Sequence, residues 1–126
     1  MSKALQIPHE GITFHVTYKI DPSNVDKFIE ALRPAWEATC NMPECIYFDV
    51  FHFSSEPGTF RITEVWNRDM EWIEENHVAK DHYQRYRNAI GSIVLKREFE
   101  ILDRLQKWSI VKKGYLEGSV KTKDEL

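Results

Sequence analysis

The sequence predicts an α+β fold in which a small antiparallel sheet carries its helices on one face. Three observations predict it. Gly11–Ile20 alternates apolar and polar side chains, and Val25–Trp36 repeats apolar residues at helical spacing. Two aromatic-rich extended segments then flank Ser54-Ser55-Glu56-Pro57-Gly58 before a second helical pattern begins.

In the first strand Ile12, Phe14, Val16, Tyr18 and Ile20 fall on one face, and Thr13, His15, Thr17 and Lys19 on the other. Neither face is strongly charged, so periodicity leaves open which one meets the helices. Asp21-Pro22-Ser23 supplies a helix start, with proline tolerated in the first turn and Asp or Ser as the cap. The first helix sets Val25, Phe28, Ile29, Leu32 and Trp36 on one stripe, and Pro34 is expected to kink or restart it. Asn41-Met42-Pro43-Glu44 closes this segment as a loop. Cys45–Phe53 reads as a second strand with aromatics on both faces, and Phe60–Asn67 pairs back across the turn as a third. Arg68–His77 and Lys80–Ile90 read as two helical pieces. Glu98–Arg104 alternates weakly and is expected to be the fourth strand. A helix over Ser92–Lys107 competes with it, because Leu, Lys, Arg and Glu dominate there.

The order β-α-β-β-α-β is the ferredoxin-like arrangement. Its helix-free sheet face, with Tyr, Phe and Cys among its positions, would be an exposed apolar patch, and such patches mark interfaces. A homodimer packing sheet against sheet is therefore expected. The boundaries are an N-terminal extension over 1–10, the ferredoxin-like domain over 11–107, and a C-terminal extension with a polar tail over 108–126.

At 126 residues, 42% of them hydrophobic and 13% aromatic, the chain has material for a single domain with a real core. A net charge of −3 argues against a nucleic-acid partner. Cys40 and Cys45 form no CxxC pair, so neither a redox motif nor a zinc site is expected. The N-terminus MSKALQIPHEG lacks an apolar signal region, and no run reaches the length of a membrane span. A cytoplasmic protein without membrane contact is the expectation. The closing Lys123-Asp124-Glu125-Leu126 spells an ER-retention address, which works only on a protein already inside the secretory pathway, and is read as coincidental. Glycine-rich phosphate cradles, HExxH and Gly-x-Ser-x-Gly are all absent from the sequence.

VTYKIDPSNVDKFIEAL, ECIYFDVF and PGTFRITEVWNRDMEWIEENHVAKDHYQRY together resemble the antibiotic biosynthesis monooxygenase family, over roughly Ile12–Arg104. Phe28, Cys45, Tyr47, the Glu64-x-Trp66 pair, His77 and His82 carry the resemblance. It implies a dimeric α/β barrel and several possible chemistries. These are cofactor-independent oxygenation of phenols and anthrones, haem degradation, and isomerisation or simple binding of small carbonyl compounds. Two features depart from the family pattern: Met42-Pro43-Glu44-Cys45 replaces a commoner Glu-Pro-Gly-Cys loop, and the chain runs on through Trp108 and Tyr115.

The stretch Thr59–Ile90 holds the candidate chemistry. Glu64 shares a strand face with Trp66, where it is a structural carboxylate pairing with Arg61, Lys19 or a backbone amide, or a half-buried carboxylate with a raised pKa that could act as a base. Trp66 is a pocket wall or a core residue sealing the helix–sheet junction. His77 is a base or substrate donor, a haem ligand if the haem-degrading resemblance holds, or a simple complement to the helix dipole. His15 is a second candidate base if its face of the first strand lines the cavity. Phe14, Phe48 and Phe60 are candidate walls, Tyr47 and Tyr86 candidate donors to an oxyanion, and His82 a further pocket residue. The expected function is a monooxygenase acting on a small aromatic or polyketide-type substrate with no cofactor and no metal. Haem dependence and non-catalytic ligand binding are the alternatives.

Overall fold

The alternation of the first strand becomes β1 (Ile12–Ile20), the centre of the molecule. A computed structural model describes residues 11–112; the extension over 1–10, Tyr115 and the Lys123–Leu126 tetrapeptide lie outside the described residues. Asp21 caps a short 3₁₀ turn by accepting from the Ser23 backbone N–H at 2.9 Å, and α1 (Val25–Cys40) comes directly after it. Pro34 lies inside α1 without ending it, so the helix does not restart there. It sits on the solvent side, so the carbonyl that loses its intrahelical partner faces water.

Next come β2 (Cys45–His52) and β3 (Thr59–Trp66), the short α2 (Met70–Ile73), a π-helical turn (Glu74–Val78), α3 (Asp81–Ile90) and β4 (Val94–Leu102). The fourth strand thus starts ahead of the expected Glu98, and the competing helix is not formed. Backbone pairing with β1, which matches Thr13 to Leu102 and Ile20 to Val94, overrides the helical propensity of the segment.

The sheet is antiparallel in the order β2-β3-β1-β4, the ferredoxin-like topology. Phe14, Val16, Tyr18 and Ile20 all face the helices and are buried, which decides the question the periodicity left open. Phe28 joins α1 to the sheet, with its ring centroid 5.5 Å from Tyr18 and 4.9 Å from Phe60. Tyr86 joins α3 edge-on to Tyr18 at 6.3 Å.

The outer sheet face departs from expectation. Its rows are polar at Thr13, His15 and Thr17 on β1, Arg61 and Thr63 on β3, and Glu98 and Glu100 on β4, and apolar at Tyr47 and Phe51 on β2, Val65 on β3 and Leu102 on β4, so it is mixed. A register shift between Cys45 and Tyr47 puts them on opposite sides: Cys45 packs against the core and Tyr47 stays outside. Most of the exposed large apolar residues among those described lie on the edge strand β4 and beyond it, among them Leu95, Ile101, Leu105 and Trp108. No helix among the described residues is long and apolar enough to cross a membrane.

Candidate active site

Glu64 and Trp66 are two positions apart on β3 and therefore share the helix-bearing face. There Trp66 Nε1 donates to Glu64 Oε1 at 3.0 Å, and both residues are buried. Burial pushes the Glu64 carboxyl up to about 7, while the indole N–H, which favours the ionised form, pulls the other way.

His77 reaches the same place from the helix side. Asp69 starts α2 by accepting the Trp72 N–H at 2.9 Å, and the chain then widens into the π-helical turn. An inserted π turn shifts the angular phase of the neighbouring helical residues. Here the turn carries His77 inward, only 3% exposed, with its ring 4.8 Å from that of Trp66. His77 Nδ1 lies 3.0 Å from His82 Nε2, so one of these nitrogens donates to the other. Burial, and secondarily the His82 charge, pull His77 down to about 4. Burial also lowers His82, against the nearby Asp81. Near neutral pH the contact therefore joins two neutral rings. His77 Nε2 makes no hydrogen bond to any described residue.

A half-open cavity of about 270 Å³ lies between the sheet and the second helical crossover. Phe14, Val16 and Glu64 line it from the sheet, and Met70, Ile73 and His77 from α2 and the π turn. Tyr83 and Arg87 enter from α3, one helical turn apart, while Arg97 and Phe99 enter from one face of β4. The Phe14 and Phe99 rings are 5.1 Å apart. Burial raises the Tyr83 phenol, and a hydrogen bond with Arg97 works against that shift.

Of the residues singled out from the sequence, Glu64, His77 and Phe14 line this cavity. Trp66 does not; fully buried, it stands behind Glu64 and His77 as backing for both. Phe60 and Tyr86 belong to the core, Phe48 packs partly buried against it, and His82 sits behind His77. His15 and Tyr47 are on the outer face, separated from His77 by the sheet itself. His15 pairs across β1 with Thr63 and Glu100, and Tyr47 donates its hydroxyl to Asp49 Oδ2 at 2.8 Å. The expectation that His15 supplies a base here, or Tyr47 an oxyanion donor, is corrected by the alternation of side chains along a strand. Tyr86 lies in the core rather than on the cavity wall, where α3 places Tyr83.

Tyr83, Arg87, Arg97 and Phe99 are the cavity residues that sequence reasoning missed. The i, i+4 pair Tyr83 and Arg87 was a usable signal; Arg97 was not, because it lies ahead of the expected start of β4. Among the described residues no group of three or more His, Cys, Asp or Glu is placed to hold a metal ion.

The family model for antibiotic biosynthesis monooxygenase matches residues 11–89, and the chain belongs to that family. A protein of Pestalotiopsis microspora named "Putative monooxygenase GME11364" is 28% identical over 99 residues, 78% of this chain and 82% of that protein. The crystal structure of a "Putative antibiotic biosynthesis monooxygenase" from Bacteroides thetaiotaomicron superposes with a TM-score of 0.72 at 17% identity, covering 82% of this chain and 97% of the other. Another, of an antibiotic biosynthesis monooxygenase, gives 0.67 at 23% identity over 75% of this chain and 98% of the other. At these identities the structural likeness establishes the fold.

Proposed function

We propose that this protein is a monooxygenase that oxygenates a small aromatic substrate with neither metal nor flavin. One observation carries the reading: buried Glu64 and His77 meet in a cavity of about 270 Å³ whose walls include Phe14, Phe99 and Tyr83. A reaction without a cofactor needs a substrate whose anion reduces dioxygen directly. The protein must then exclude water, hold the ring and stabilise the anion.

Glu64, pushed up to about 7, is the base best matched to neutral pH. His77, pulled down to about 4, is the weaker base, but its Nδ1 contact gives a proton accepted at Nε2 an exit through the less buried His82. Tyr83, with Arg97 beside its phenol, is the donor to the developing oxyanion.

Glu64 removes a proton from the phenol or the acidic ring CH₂, and the anion passes one electron to dioxygen. The substrate radical and superoxide join in a C–O bond, and the removed proton returns to give a hydroperoxide. Its O–O bond then breaks as the remaining C–H proton leaves, yielding the carbonyl and water. One oxygen atom enters the product, the other becomes water, and the substrate supplies every electron.

Haem is the cofactor that the family resemblance brings in, with His77 Nε2 as the donor it would use. Ligand sites for drug-sized molecules run to roughly 300–1,000 Å³. This cavity, at about 270 Å³, falls below them, and a tetrapyrrole exceeds it. A cavity of this size does not enclose haem, which supports the reading without a cofactor.

The test is turnover of an anthrone or naphthol under ¹⁸O₂, without added metal, flavin or reductant. Oxygen uptake equal to substrate consumed, with one labelled atom in the product, is the expected result. Saturable binding across a panel of phenols with no oxygen uptake would make the protein a carrier. A Soret band on haem titration, followed by haem breakdown, would replace the reading with the haem-dependent one.

A further inference from the structure

We infer that the ligand of this cavity is an aromatic carboxylic acid, whose carboxylate is received by Arg97 with Arg87 beside it at the open side. The inference rests on the aromatic-binding reading of the cavity and goes on to name the ligand's class.

Two guanidinium groups reach one small cavity, Arg87 from α3 and Arg97 from β4. The cationic residues two places from Arg87 and next to Arg97 behave differently. Arg85 pairs with Asp81 at 2.8 Å and Lys96 with Glu98 at 2.9 Å, both in solvent. The remaining ion pair among the described residues is Arg33–Glu30, so neither cavity arginine has an acidic partner there.

Arg97 is nevertheless positioned. The phenols of Tyr18 and Tyr83 lie beside it, and its guanidinium lies over the Phe99 ring, 5.7 Å from the centroid. These partners are neutral: they orient the fork of a side chain that, like Arg87, is exposed, and leave its charge to solvent or to a ligand. The cavity's own acids do not supply the missing charge. Glu64 is turned to Trp66, and Glu74 forms no ion pair with either arginine.

A planar carboxylate matches the guanidinium fork with parallel hydrogen bonds. The ring attached to it would then lie between Phe14, Phe99 and Tyr83, with its far edge toward Glu64 and His77. A substrate held in this way presents its oxidisable position to the base and its acid group to the solvent side, which fixes its orientation.

The test compares 2-naphthoate with its neutral analogue 2-naphthamide by calorimetry on the full chain and on the Arg97→Gln, Arg97→Lys and Arg87→Gln variants. Charge-assisted hydrogen bonds predict that wild type prefers the acid by about 10–100-fold. Arg97→Gln should erase that preference, Arg97→Lys should keep part of it, and Arg87→Gln should reduce it. Unchanged amide affinity in Arg97→Gln would show that the pocket survives the substitution. Equal binding of acid and amide to wild type, or a preference that survives Arg97→Gln, would overturn the anion inference and leave the aromatic pocket standing. Failure of both ligands to bind wild type would overturn both readings.

Discussion

Glu64 and His77 titrate in opposite senses, although one cause, burial, acts on both. Burial opposes charge, so it raises an acid to about 7 and lowers a base to about 4. The rate consequence falls on Glu64. Turnover should rise with pH through about 7 as the carboxylate forms, whereas a histidine base would give a rise near its own, much lower value. Glu64→Gln should lower kcat by roughly 10²–10⁴-fold and flatten that rise, with a small change in ligand affinity. A profile that stays intact in Glu64→Gln would move the base elsewhere. The stability consequence involves both residues. Between the ordinary carboxylate value and about 7, folded Glu64 holds more protons than the unfolded chain, so its contribution is lost as pH rises. Between about 4 and the ordinary imidazole value, folded His77 holds fewer, so its contribution grows as pH rises. Each is worth on the order of 3 kcal/mol at about 1.4 kcal/mol per pKa unit, and over the shared acidic range they oppose each other. Chemical denaturation from pH 4.5 to 6.5 should therefore show a nearly flat stability for wild type, a rising one for Glu64→Gln and a falling one for His77→Gln. Parallel curves for all three would show that the two groups are not buried as described. Glu64, Trp66 and His77 were legible in the sequence because an alternating strand runs straight into a helical pattern there. Their settings were not, because burial depth fixes them: Trp66 stands behind the cavity as backing, and burial moves the carboxyl and the imidazole in opposite directions.

Two local backbone features decide whether these elements bring the site together. The π-helical turn at Glu74–Val78 turns His77 toward the sheet, and its widened geometry leaves no trace in apolar spacing, which read the segment as ordinary helix. The β2–β3 hairpin depends on Gly58. Its φ of +90° lies where side chains are strained, and a Cβ there would collide with the Ile20 carbonyl oxygen. That carbonyl ends β1, and Ile20 N–H donates to Gly58 O at 2.8 Å, so the turn ties the hairpin to the central strand. Gly58→Ala should cost at least about 2 kcal/mol, seen as a lower urea midpoint with unchanged slope. A midpoint within error of wild type would mean the turn relaxes freely. Here the sequence was a good guide, since Pro57-Gly58 marks the turn whatever surrounds it. It was a poor guide at Pro34, whose helix-breaking tendency is offset by its solvent-side position, and at β4. That strand exists through its pairing with β1, a long-range contact that local propensity does not contain.

At the scale of the whole molecule the question is what covers the apolar surface. A homodimer was expected from an apolar outer sheet face; that face carries Thr, His, Arg and Glu rows on β1, β3 and β4, with Tyr47, Phe51 and Leu102 as its apolar share. Among the described residues most of the uncovered large apolar side chains lie along β4 and just past it, with Leu105 66% and Trp108 83% exposed, and Ile46 and Phe51 add a smaller share on β2. An exposed edge strand presents unpaired backbone groups as well as this apolar surface, which is a strong drive for association. A second copy of the chain, docking along β4 and the segment just past it, would bury both. Sedimentation should therefore find twice the 15.0 kDa chain mass at micromolar concentration. Leu105→Glu with Trp108→Glu should shift the population to monomer, because each charge would have to be buried without a partner. Wild type sedimenting as a monomer would sink the assembly, and a double variant that stays dimeric would move the interface off this edge. The edge also reaches the site: Phe99 is at once a β4 residue and a wall of the cavity. Monomerisation should therefore weaken naphthoate binding as well, so the dissociation constants for subunit and ligand should shift together across a dilution series.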